Sequence, residues 1–378
     1  MRILDFEYHG VAGDEWHFST TGLKRVNLLV GDTGSGKTRF LNALFNMAMV
    51  SVSNDLSFQP RGKWTVRLSI GGADYLWHLH SDFNSNKEVA VKQEKLVRQM
   101  DSNETIIIER TEHKHYFLGK PQPKLTSKVS SISLFQNEEM VKPVYQGFSS
   151  MIRRSFSDEG LINSFAPQGV SKDLYQSFRN ANDLFKVFSS PFQANVRLSL
   201  LQEISPSKYD SLVSSYRKIF PFVGSTRIVD ITQSGNKDVG SLQTPIFYIK
   251  ETSQTSWIRS TDLSSGMQKV LLILLDTVLL PQGGVYLIDE YENSLGINAI
   301  NFLPNFLLES DENNQFFITS HHPYIINAIG IDSWLVFHRQ GTRVLLKHGS
   351  DLKEKYGKSK QEQFIQLVND PFYSRGVE

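Results

Sequence analysis

One nine-residue stretch, Val30-Gly31-Asp32-Thr33-Gly34-Ser35-Gly36-Lys37-Thr38, constrains this chain more than any other. It has glycine, four residues, glycine, lysine and then threonine, which is the phosphate-binding P-loop pattern. The flanks agree with that reading. Arg25-Val26-Asn27-Leu28-Leu29-Val30 is a short apolar run that predicts a buried strand, and Arg39-Phe40-Leu41-Asn42-Ala43-Leu44-Phe45 has the spacing of a helix with one apolar face. A strand, a glycine loop and a helix N-terminus present backbone N–H groups to an anion. Gly31, Asp32, Thr33, Gly34, Ser35, Gly36, Lys37, Thr38 and Arg39 are therefore the candidate nucleotide-binding set. Lys37 would reach the β- and γ-phosphates of ATP, and Thr38 would ligate Mg2+.

Composition narrows the class. The chain has 378 residues, 40% of them hydrophobic and 21% charged, with a formal net charge of +1. That is an ordinary globular composition with no global attraction to nucleic acid. No apolar run is long enough to cross a bilayer. The N-terminus, Met1-Arg2-Ile3-Leu4-Asp5-Phe6, alternates rather than forming a signal peptide. With 0 cysteines, thiolate zinc sites and disulfides are excluded. These features predict a cytoplasmic protein that does not engage membranes.

Along the chain the periodicity changes twice. Residues Met1 to Phe18 read as a strand, a turn near Gly10 to Gly13 and a return strand. Trp64–Ile70, Gly71-Gly72 and Ala73–His80 read as a hairpin, with further strands at Glu88–Val97 and Thr105–Arg110. From about Ser149 to Phe220 the period becomes helical, with Leu174, Phe178, Ala181, Phe185 and Phe188 on one face and a helix start at Ser205-Pro206. Pro191 and Pro206 break this region, so a long coiled coil is not expected. Thr232–Thr244 reads as a loop and Pro245–Ile249 as a strand. The tail reads as a strand at Trp334–His338, a return strand at Arg343–Lys347 and a helix near Gln361–Val368. His78 and His80 share a strand face and His113 and His115 flank a lysine; solvated strand faces are the expected role for all four. The pair Arg153-Arg154 is expected to form surface or partner ion pairs, and Tyr145, Phe148, Phe156 and Phe165 to lie in a core.

Three later stretches bear on phosphate chemistry. Leu263-Ser264-Ser265-Gly266-Met267-Gln268 opens an apolar helix, Val270–Leu280. Gly284-Val285-Tyr286-Leu287-Ile288-Asp289-Glu290 is an apolar strand ending in two acids, which can bring Asp289 to a Mg2+ site and Glu290 to an attacking water. Phe316-Phe317-Ile318-Thr319-Ser320-His321-His322-Pro323 is a strand that carries a histidine at its C-terminal tip, where ligands bind in open α/β sheets.

The order P-loop, Ser-Ser-Gly, acidic strand and histidine resembles the ATP-binding cassette (ABC) ATPases, in their non-transporter branch with the SMC proteins, RecF and the overcoming-lysogenization-defect (OLD) type. Ile288-Asp289-Glu290-Tyr291-Glu292-Asn293-Ser294-Leu295 is similar to the OLD form of the acidic motif, and Ser320-His321-His322-Pro323 to that group's switch motif. Ser320 and His322 depart from the usual Thr-His-Ser-Pro, which leaves the choice between His321 and His322 open. Met267 stands where many ABC signatures have glutamine.

The resemblance implies an α/β fold: an ABC-ATPase head with a mixed sheet around the P-loop helix, an antiparallel β subdomain and an inserted helical subdomain. It implies a first lobe over 1–148, a helical lobe over 149–244, the signature, acidic and switch part over 245–330, and a strand-helix tail over 331–378. It also implies a catalytic and metal-binding glutamine in the loop joining the lobes, for which Gln136 is the candidate. Ser264, Ser265 and Gly266 would contact ATP held by a second copy, making the protein an ATP-dependent homodimer.

No Toprim nuclease fits into Asn327–Glu378. Stand-alone ATPases of this kind resemble the sensor subunits of two-gene anti-phage systems such as PARIS and Septu, whose effector, a nuclease or toxin, is a separate protein. A RecF-like DNA-binding clamp, in which nucleic acid is the partner, and a slow-hydrolysing scaffold are the alternatives.

Overall fold

The computed structural model describes residues 1–53, 60–100, 103–123, 128–156, 158–231, 242–357 and 359–376. Most of the expected loop at Thr232–Thr244 lies outside them. The chain divides into two compact units: one of Met1–Arg154, Gln282–Asp289 and Asp311–Glu378, the other of Ser155–Pro281 and Glu290–Ser310.

A large mixed sheet organises the first unit. Its core is parallel and largely buried, with Val285–Asp289 beside Gln315–Thr319, then the P-loop strand Val26–Gly31, then Trp334–Gln340, whose last residues reach the surface. Strands buried on both faces need near-continuous apolar sequence. Leu28, Leu29, Leu287, Phe317 and Val336 meet that need, each at most 1% exposed. The sheet continues through the N-terminal pair Arg2–His9 and His17–Thr20 into the antiparallel strands Gly62–Ile70, Ala73–Phe83, Val89–Met100 and Asn103–Thr111. The Gly71-Gly72 turn adopts φ of +59° and +82°, the positive values a two-residue hairpin needs.

The P-loop helix Lys37–Val52 buries Phe40, Leu41, Leu44 and Met47 against this sheet. Phe40 makes edge contacts with Phe6, Phe18 and Phe337 at 5.3–5.7 Å. The tail adds Arg343–His348, then helices Gly349–Leu352, Lys360–Asn369 and Pro371–Arg375, two helices more than periodicity indicated.

The region from 149 does not begin as helix. Met151–Ser155 is a strand at the edge of the large sheet, next to Val285–Asp289. The Val285 N–H donates to the Ser150 carbonyl at 3.1 Å. The histidine pairs also divide. His78 shares a hydrogen bond with Thr65 at 3.0 Å on the outer face, whereas His115 is buried against Phe135 rather than solvated.

The second unit is helical around Ala194–Ile204 and Ser265–Leu279, with a three-stranded antiparallel sheet of Val223–Asp230, Pro245–Glu251 and Ile258–Arg259. A buried Arg197–Asp276 ion pair of 2.9 Å joins the two central helices. Asn195 fixes three segments: it donates to the Phe165 carbonyl and accepts from the Phe247 N–H and the Ser260 hydroxyl. Phe148, Phe156 and Phe165 are core residues of their respective units. Among the described residues, no helix is long and apolar enough to cross a membrane.

Candidate functional site

In the first unit the P-loop forms a cradle between strand and helix. Gly34 and Gly36 hold φ of +81° and +102°, which L side chains rarely adopt. Gly31 lies opposite Phe337 in the parallel register, and a Cβ there would sit 2.7 Å from the Phe337 carbonyl oxygen. Lys37 is buried and folds back on the loop: its ammonium donates to the carbonyls of Gly31 at 2.7 Å and Asp32 at 2.9 Å, and to Ser35 Oγ at 3.3 Å. A cation held at the mouth of a helix N-terminus is the arrangement that receives phosphate oxygens.

Asp289, at the C-terminal end of its strand, is 2% exposed, and three side chains converge on it. Thr38 Oγ1 donates to Oδ1 at 3.1 Å and Thr319 Oγ1 to the same oxygen at 2.8 Å. Arg153 Nη2 lies 3.5 Å from Oδ2. The parallel register of the core strands brings the ends of Ile288 and Ile318 level, which is why residues thirty positions apart share one carboxylate.

Two further contacts border the loop. Trp16 lies between the guanidinium groups of Arg39 at 4.6 Å and Arg339 at 4.4 Å, and a Cβ on Gly36 would meet its ring at 3.0 Å. Arg39 also pairs with Asp14 at 3.0 Å. Tyr373, from the last helix, hydrogen-bonds Asp32; burial, and then that carboxylate, push the phenol up to about 12. His321 is exposed beyond the end of its strand. His322 caps the helix Pro323–Ile329, its Nδ1 accepting from the Tyr324 N–H at 3.2 Å.

Gln136 lies in a turn after the helix Ser131–Leu134, beside Phe135, which stacks on Phe117 at 4.3 Å. The side chain that reaches Asp289 from this part of the chain is Arg153, on the edge strand. Neither the Asp289 partner of Arg153 nor the placement of Trp16 against Arg39 is readable from the sequence.

In the second unit, Ser264 caps the helix Ser265–Leu279, its hydroxyl accepting from the Met267 N–H at 3.3 Å. Ser265 and Gly266 form the first turn, and a Cβ on Gly266 would lie 2.4 Å from the Ser294 carbonyl. The segment after Asp289 is thus pressed against the signature turn. Lys269 bolts it there, donating to the carbonyls of Glu290 at 2.9 Å and Asn293 at 2.8 Å under the Phe156 ring. Burial lowers the Lys269 ammonium to about 7, against the opposing pull of Glu292 and Glu290. Glu290 itself is exposed, sits at φ +51°, and accepts from Asn293 Nδ2 at 2.5 Å. A non-glycine residue at positive φ is uncommon, and such positions cluster at functional sites.

Comparison with known proteins bears on the family and the fold. Residues 147–327 match a family described as AAA domain, putative AbiEii toxin, Type IV TA system. A comparison with curated proteins gives no match. Among solved structures, the chain is similar to an SMC head bound to the C-terminal winged-helix domain of ScpA, with a TM-score of 0.52 and 9% identity over 94% of this chain and 100% of that one. An SMC head with an extended coiled coil, bound to the C-terminal domain of ScpA and derived from Pyrococcus furiosus, gives 0.48 and 10% over 94% and 98%. An SMC head from Thermotoga maritima gives 0.41 and 13% over 92% and 99%. The first of these shows the fold alone, the α/β architecture of an SMC head.

Proposed function

We propose that this protein binds and hydrolyses ATP as an ABC-type ATPase, and that ATP-dependent dimerisation governs a separate effector protein. The observation that carries the proposal is the meeting of Thr38 and Asp289 at 3.1 Å, beside a P-loop whose lysine is poised at its mouth. A hydroxyl and a carboxylate are hard oxygen donors of the kind Mg2+ takes, so the residues present fit that ion. Mg2+ supplies charge neutralisation on the phosphate oxygens when bound.

The chain's own groups account for the rest of the chemistry. Backbone N–H groups of Gly34 to Thr38 receive the phosphates of ATP, and Lys37 exchanges its loop carbonyls for their oxygens. Thr319 fixes the orientation of Asp289 through its hydroxyl. Glu290 orients and deprotonates the attacking water. His321 donates to the terminal phosphate; the engagement of His322 in capping supports that choice. Ser264, Ser265 and Gly266 contact ATP held by a second copy, so that hydrolysis separates the pair.

The matched family's description, AAA domain, putative AbiEii toxin, Type IV TA system, supports a defence-type setting, while control of a separate effector rests on the resemblance to stand-alone OLD-like ATPases. In this proposal the chain is an OLD-like defence ATPase acting as a sensor or regulator, with a nuclease or toxin as the controlled partner. The test uses untagged protein and the Glu290→Ala variant in sedimentation with ATP and Mg2+, and then pull-downs from the native host. A nucleotide-dependent dimer that retains a stoichiometric protein and releases it on hydrolysis is expected. A persistent monomer at micromolar concentration defeats the dimer, and capture of nuclease-sensitive DNA in place of a protein defeats the effector reading in favour of a DNA clamp.

A further inference from the structure

The N-terminal hairpin of the first unit carries a side-chain cluster that the ATPase chemistry does not use. His9 ends the strand Arg2–His9, and His17 begins the strand His17–Thr20. Antiparallel register places them directly opposite each other. Their imidazoles stack with centroids 3.8 Å apart and planes 18° apart. Glu7, two residues before His9, faces the same side, as strand alternation requires. Its Oε1 lies 2.9 Å from His9 Nε2 and 3.7 Å from His17 Nε2. All three potential ligand atoms lie within 4.8 Å of one another.

These separations match a coordination shell. With metal–nitrogen and metal–oxygen bonds of about 2.0–2.2 Å, the ligands of a tetrahedral zinc ion lie roughly 3.3–3.5 Å apart. The two measured Glu7 distances fall either side of that value. A second observation points to a ligand. His17 Nε2 is shut off from solvent and has no hydrogen-bond partner, a state that costs free energy unless something occupies it.

We infer that Glu7, His9 and His17 form a binding site for a divalent transition-metal ion, Zn2+ in the first instance, with at least one coordination position left open. Two imidazoles and a carboxylate suit a borderline ion such as Zn2+ better than Mg2+ or Ca2+. The site would clamp the hairpin on its outer face. On the inner face, Phe6 and Phe18 pack against Phe40 of the P-loop helix, so the clamp stiffens the strands beneath the nucleotide loop.

The test is calorimetric titration of the untagged full chain with Zn2+, and with Co2+ as an optical probe. The absence of cysteine leaves the Co2+ ligand-field bands free of thiolate absorption. One ion per chain is expected, with affinity falling at least tenfold in His17→Ala and in Glu7→Gln. Titration curves for both variants that overlay the parent's would overturn the assignment. Histidine-ring NMR of the unaltered protein gives an answer that does not depend on variant folding. Zn2+ should shift the ring nitrogens of His9 and His17, and shifts confined to the other histidines would refute the site.

Discussion

Replacing Arg153 with alanine tests the ion balance around Asp289. Arg153 is a cation beside this carboxylate, at 3.5 Å, with side-chain exposures of 3% for Asp289 and 22% for Arg153. Coulomb attraction at that distance is about 5 kcal/mol for an effective dielectric near 20. Much of it offsets the cost of removing the guanidinium from water. Breaking a fully buried pair by removing one partner costs about 3–5 kcal/mol. Discounting for the partly exposed arginine leaves about 2–3 kcal/mol.

Because Asp289 keeps its two threonine donors, the expected result is a lower Tm without local unfolding. At about 2–4 °C per kcal/mol for a unit of this size, the fall in metal-free buffer should be roughly 4–12 °C. With Mg2+ and a non-hydrolysable ATP analogue present, the deficit should shrink by at least half, since the ion then supplies the positive charge. Differential scanning fluorimetry in both conditions measures this. An unchanged Tm in chelator, or an equal deficit with and without Mg2+ and nucleotide, would refute the reasoning.

Other perturbations have defined outcomes. Gly31→Ala forces a methyl group against the Phe337 carbonyl and should cost about 1–3 kcal/mol in urea unfolding while weakening fluorescent ATP-analogue binding. A variant as stable as the parent would show that the strands part freely there. For Lys269 the folded pKa lies below the unfolded one, so between about 7 and 10.5 the unfolded chain binds more protons and the native state gains stability as pH rises. Lys269→Met should abolish that gain, whose slope is bounded by about 1.4 kcal/mol per pH unit; identical slopes for both proteins would contradict it. Thr319→Val removes one of the donors to Asp289 Oδ1 and should lower turnover by roughly tenfold with little change in ATP affinity, read by steady-state kinetics. A large affinity loss would assign Thr319 to binding instead.

Much of this architecture is legible in the sequence because its parallel strands are buried on both faces and must be spelled as continuous apolar runs. Val26–Gly31, Val285–Asp289 and Gln315–Thr319 are such runs, and the last two end in Asp289 and Thr319, which meet at the cradle. The Gly71-Gly72 hairpin announces itself through its positive-φ requirement. What stays hidden depends on pairing across distance. Met151–Ser155 carries two arginines in five residues, so periodicity alone gives no strand, and only its place beside Val285–Asp289 turns Arg153 toward Asp289. His9 and His17 look unrelated in the sequence, because the length of the intervening turn decides whether they face each other. Lys269 reads as a surface lysine on an apolar helix, and its burial follows from the return of the Glu290–Ser294 segment.

The most direct test of the central claim is phosphate release from ATP in Mg2+ by the purified full chain, compared with Lys37→Ala and Glu290→Gln. The account predicts measurable turnover that falls at least a hundredfold in both variants, with ATP binding lost in Lys37→Ala and retained in Glu290→Gln. Turnover that survives in either variant, or a parent protein that binds no ATP, would contradict it.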